Sequence, residues 1–161
     1  MKHLLLRFLA LLCLATFAGA ADLSITTTSF VPGARAKSNI GIAGATITIG
    51  QLLYFDSTAG TWKLADADAS ATASLVQAIA GSAAAAGQPV IYITEDDDLT
   101  LGATLSMSTP VYVLSGTAGG IAPSADISVG EYPAVSLIAK STTKCVFKGA
   151  ALRGAAAAVA P

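Results

Sequence analysis

The chain has 161 residues, 53% of them apolar and only 12% charged, with a formal net charge of −1. Its one histidine, His3, and one of its two cysteines, Cys13, fall within the first twenty residues, so the remainder holds Cys145 alone. That excludes histidine-based acid–base and metal chemistry there and an intramolecular disulfide. It carries no Lys/Arg run of the kind that neutralises nucleic-acid phosphates.

Residues 1–20 read as a helical, signal-peptide-like leader. Lys2, His3 and Arg7 form a basic start, Phe8 to Ala15 an apolar centre, and Ala18-Gly19-Ala20 a small-residue cleavage site, with processing expected near Ala20. The apolar centre is well short of the roughly 20 residues that cross a bilayer. No second long apolar segment follows, so the mature domain is expected to have no membrane partner.

Leu23 to Thr28 alternates and then becomes β-branched, which predicts a first strand. Ala34 to Gly44, carrying Arg35 and Lys37, reads as a loop. Ala45 to Ile49 alternates apolar and polar and predicts a strand, and Gln51 to Phe55 another. Asp56 to Gly60 is a hairpin loop before Thr61-Trp62-Lys63-Leu64, with Tyr54 and Trp62 as expected cross-strand aromatics. Ala65 to Ser74 reads as loop, Leu75 to Ala80 as strand, and Gly81 to Gly87 as a connection.

Val90 to Thr94 is the strongest strand signal; Glu95 to Asp98 then reads as a solvated turn before Leu99 to Leu101. Val111 to Leu114, Ala134 to Ala139 and Lys144 to Lys148 complete the strands, with a Gly-rich turn at Ser115 to Gly120. The whole predicts an all-β fold: a single small sandwich or barrel of about eight to ten short strands over residues 21–148. Residues 149–161 read as a flexible Ala-rich tail.

Chemical motifs are few. Ser141-Thr142-Thr143-Lys144 matches the S-x-x-K string of serine acyltransferases, but that chemistry needs a helix start and this string lies between two predicted strands. Asp66 to Ser70 resembles the start of a calcium loop, but Ala71 stands where glycine is required and Gln77 where glutamate is. Tyr54, Phe55, Trp62 and Tyr92 are expected to pack within strands rather than form a sugar platform. Cys145 is expected to be a buried strand residue. No catalytic, cofactor-binding or metal residue is assigned, and no cofactor is expected.

Ala21-Asp22-Leu23-Ser24-Ile25-Thr26, Val31-Pro32-Gly33-Ala34 and Gly44 to Gln51 stand in an order that resembles small tailed-phage head proteins of the decoration, or capsid-cement, type. Gly60-Thr61-Trp62-Lys63-Leu64, Gly87-Gln88-Pro89-Val90, Gly119 to Pro123 and Ala139 to Thr143 continue the likeness over most of residues 21–148. The resemblance implies a non-enzymatic β-rich protein that binds the outer face of a capsid. Its partner would be the major capsid protein, its oligomeric state a trimer, and its location the virion. The leader departs from that pattern and favours an alternative, a secreted bacterial β-domain for adhesion or surface assembly. The loops around Arg35, Lys37 and Asp56 to Gly60 are the candidate partner contacts.

Overall fold

The computed structural model describes residues 21–149. The leader and the tail beyond Gly149 lie outside the described residues, and with them the expected leader helix. Among the described residues there are nine strands: β1 (Lys37–Ile42), β2 (Leu52–Asp56), β3 (Thr61–Leu64), β4 (Ala78–Ala80), β5 (Pro89–Thr100), β6 (Val111–Leu114), β7 (Ile121–Pro123), β8 (Val135–Ala139) and β9 (Lys144–Lys148). Two single-turn 3₁₀ segments, Thr27–Ser29 and Ser124–Asp126, are the only helical elements among the described residues. The fold is all-β, as the turn spacing predicts: one curled antiparallel sheet in which hydrogen bonding runs β3-β2-β4-β5-β9-β8-β6-β7, with β1 also paired to β5.

The twelve-residue β5 organises the molecule. Tyr92 pairs with Asn39 of β1 and Ala80 of β4, and Glu95 pairs with Lys37 of β1 and Lys148 of β9. A strand residue with two partners has one on each edge. So β1 lines one edge of β5, while β4 and then β9 follow each other along the other. The sheet divides at β5 into a β4-β2-β3 arm and a β9-β8-β6-β7 arm. The first arm curls until Ala43 bridges Trp62, which brings the end of β1 beside β3.

The alternation of β2 and β5 sends side chains into two cores. Leu52, Ile79, Ile93, Leu99, Leu101, Tyr112, Leu114, Ile121, Leu137, Cys145 and Phe147 share the larger one. Leu53, Trp62, Ala78, Ala80 and Val90 form the smaller one inside the curl, with Ala43 and Ile47. Alanines at Ala43, Ala78 and Ala80 leave room there for the indole of Trp62, the only tryptophan in the chain.

Several predicted elements differ. Leu23 to Thr28 is not a strand: Leu23 N–H donates to Ile121 O, Thr26 N–H to Gly102 O, and the chain then turns into 3₁₀ geometry. It lies across a glycine, for a β-carbon at Gly102 would sit 2.5 Å from Thr26 O. Ala45 to Ile49 makes one bridge, Ile47 to Ala84, and Leu75 to Ala80 is strand only from Ala78. Lys37 to Ile42, read as loop, is β1. Glu95 to Asp98, read as a turn, lies inside β5, where lysines on neighbouring segments pair with Glu95, Asp97 and Asp98 and backbone N–H groups meet the buried Asp96. The hairpin of β2 and β3 stands, with Gly60 at φ +66° closing its loop. Its aromatic partner is corrected: Trp62 faces Phe55, and Tyr54 pairs with Lys63 on the opposite face.

Candidate interaction surface

Arg35 sits on a tight turn. Ala36 N–H donates to Gly33 O at 3.1 Å, and Gly33 N–H donates to the carboxylate of Asp96 at 2.7 Å. Asp96 is buried and accepts a second bond from Asp98 N–H at 2.9 Å, so it staples this turn to the middle of β5. Arg35 itself is exposed and has no carboxylate within ion-pair distance among the described residues. Lys37 begins β1 and pairs with Glu95 at 2.7 Å.

The Asp56–Gly60 loop lies at the far end of β1. Gly44, two residues past β1, donates to Trp62 O, and a β-carbon there would touch Thr61. The two candidate loops are therefore separated by the length of β1, about 20 Å at 3.4 Å per residue. Within the second, Asp56 accepts from Thr58 N–H and Ala59 N–H and pairs with Lys63 at 2.7 Å. The lysine, and then the Ala59 N–H, hold the Asp56 carboxyl below the usual carboxylate range.

Four lysines and three carboxylates form a ladder across β1, β5, β9 and the β8–β9 turn. Lys37 meets Glu95, Lys148 meets Asp97, and Lys144 and Lys140 both meet Asp98. Hydrogen bonds from Lys144 and then Lys140 hold the Asp98 carboxyl below its usual range. Glu95 raises the Lys37 ammonium above its usual value. The Lys144 of the S-x-x-K string is thus held by Asp98, and the Ser141 hydroxyl accepts from Thr143 N–H and Lys144 N–H to close the turn. Asp66 accepts from Asp68 N–H as an ordinary polar turn. Among the described residues no group of three or more His, Cys, Asp or Glu is placed to hold a metal ion.

Phe55, Trp62 and Tyr92 pack in series as tilted rings, with centroids 5.3 and 4.1 Å apart, and Trp62 in the middle is buried. Cys145 is buried too, bonded weakly to Leu99 O, and desolvation pushes its thiol up to about 12.

The feature that sequence reasoning missed lies between the two loops. Ile40 is 66% exposed, and Ile42 and Ile91 are 44% exposed. Ile40 pairs with Ile91, and Ile42 with Pro89, so the three isoleucines share one face of β1 and β5. The signal was the alternation Ile40-Gly41-Ile42 inside the segment read as loop. Gly41 itself is required, because a β-carbon there would lie 2.5 Å from Trp62 Cδ1 and Nε1. Among the described residues no helix is long and apolar enough to cross a membrane. No protein-family model matches the chain, and no match is found among curated proteins or solved structures.

Proposed function

We propose that the protein is a non-enzymatic structural component that binds and stabilises a tailed-phage capsid shell as a head decoration or cement protein. The observation that carries this reading is the ordered series of decoration-type motifs from Ala21-Asp22-Leu23 to Ala139-Lys140-Ser141. The surface chemistry is compatible with it. The described lysines are engaged by carboxylates of the same chain, and the exposed side chains of β1 offer shape and apolar area rather than reactive groups. Many copies on a repeating lattice bind firmly through a modest contact each. The partner is the major capsid protein, contacted through Arg35, Lys37 and the Asp56–Gly60 loop, and the assembly state is a trimer.

The test is co-sedimentation with empty heads assembled from the major capsid protein of the same genome, together with gel filtration of the free protein. Saturable binding by an oligomer supports the reading; a monomer that stays in the supernatant overturns it. A second reading rests on the pattern of residues 1–20, which favours secretion after cleavage near Ala20 and a role in adhesion or surface assembly. Intact-mass measurement of the mature protein and cell-surface fractionation separate the two readings.

A further inference from the structure

We propose that copies of this chain associate head to tail, with Arg35 of one copy seated on the neighbouring carboxylates of Asp68 and Glu131 of the next. This contact rests on the oligomeric part of the function proposed above and supplies the side chains that build it.

Charge is unevenly divided over the described residues. Around β5 and β9 five cations, Arg35, Lys37, Lys140, Lys144 and Lys148, stand among the four carboxylates of Glu95 to Asp98. Glu95, Asp97 and Asp98 hold the lysines, and Asp96 is spent on backbone N–H groups. Arg35 is the charge left over. It lines an open cleft of about 380 Å³ with Asp96, Asp97, Asp98 and Lys140, and it has no carboxylate within ion-pair distance among the described residues. Elsewhere one lysine, Lys63, stands against six carboxylates and pairs with Asp56 alone.

Two of those six carboxylates are brought together. Ala67 N–H donates to Ser115 O, and Tyr132 N–H donates to Ala67 O, so three segments far apart in sequence meet at one point. Asp68, Gly116 and Glu131 are their immediate neighbours. Both acids lean over the glycine: a β-carbon on Gly116 would lie 2.7 Å from Asp68 Oδ2 and 3.0 Å from Glu131 Oε1. The other oxygen of Glu131 accepts from Ser128 N–H. Asp68 is exposed, and neither acid has an ion-pair partner among the described residues. Like charges so placed repel each other. A guanidinium, planar and forked, suits two carboxylate acceptors better than an ammonium does.

Strand β8 keeps the two sites apart. Glu131 precedes it, and Lys140, on the wall of the Arg35 cleft, follows it, with five residues, or about 17 Å, of strand between. Arg35 cannot reach the acids of its own chain, so the ion pair forms between chains. Sites at opposite ends of a protomer make a heterologous contact, and a ring of three copies closes through three of them. Each end also carries an exposed valine: Val31, bridged to Thr100 two residues from Asp98, and Val129, two residues before Glu131. They give the contact apolar area beside its charges. Arg35 then stands at the seam between copies, where its several N–H donors serve the next copy and the shell together.

The experiment is sedimentation velocity on the full chain and three variants: Arg35→Glu; Asp68→Lys with Glu131→Gln, whose amide oxygen still accepts from Ser128 N–H; and all three changes together. Each of the first two is expected to weaken association by about tenfold or more. The third recovers it, because the two ends are again of opposite sign. Added salt is expected to weaken association of the parent chain, a measurement that needs no variant. Association indifferent to salt or to either reversal overturns the proposal, as does a combined variant that stays apart. A parent chain that is monomeric at every concentration also overturns it; whether that monomer sediments with heads decides the capsid reading separately.

Discussion

Asp96 is the residue on which the geometry around Arg35 depends. Its two oxygens accept separately from Gly33 N–H and Asp98 N–H, and it is 2% exposed. Replacing it with alanine leaves both donors without a partner, and replacing it with asparagine sets an amide donor against one of them. Either change is expected to cost about 1–3 kcal/mol in urea unfolding, with Asp96→Ala also loosening the Gly33–Ala36 turn. Cys145 gives a pH signature. Its folded pKa of about 12 lies above the 9.0 of an unperturbed thiol, so the native state holds a proton that the unfolded chain releases first. Stability is then intact below pH 9 and falls as pH rises toward 12. Cys145→Ala is expected to lose less stability than the parent over that interval, measured by thermal melting at successive pH values. Lys37 and Lys63, whose pKa values are also raised, contribute alkaline losses common to both proteins.

At the scale of elements, Gly41 and Trp62 join β1 to the curled arm. Gly41→Ala forces the indole aside, since a rigid ring cannot give way as a flexible chain end does. The expected cost is about 1–3 kcal/mol, and because Trp62 is the only tryptophan its emission should shift red as the ring loses burial. This pair also shows why part of the fold was readable in the sequence and part was not. β2, β3, β6, β8, β9 and the first half of β5 each bury a face, so their apolar patterning announced them. β1 buries no side chain and is a strand only because β5 pairs with it, so it read as loop and its isoleucine face went unseen. Leu23 to Thr28 and Ala45 to Ile49 have strand-like alternation without a continuous neighbour to pair with. The charges at Glu95 to Asp98 mimic a turn until their lysines, all distant in sequence (Lys37, Lys140, Lys144 and Lys148), are brought beside them. Of the candidate contacts, Arg35 and Ser57 to Gly60 fell on exposed turns as read, while Asp56 closes β2 half-buried and Lys37 is a strand residue at the opposite end of β1 from the hairpin.

For the whole molecule, the ladder of ion pairs ties β1, β5, β9 and the β8–β9 turn into one surface. Asp98 and Asp56 have folded pKa values below 3.8, so their contribution is present at neutral pH and is lost as pH falls through those depressed values. The melting temperature is expected to drop below about pH 4, and less steeply in Asp98→Asn, which has no carboxylate to titrate at that position; parallel acid melts check this. Since all these pairs are solvent-exposed, added salt should weaken them. The proposed role is reinforcement of a shell through shape and repetition. Rupture of empty heads on heating, with and without saturating added protein, tests that most directly. Heads carrying the protein should rupture at a clearly higher temperature, in proportion to the copies bound; an unchanged rupture temperature at full occupancy would contradict the reading.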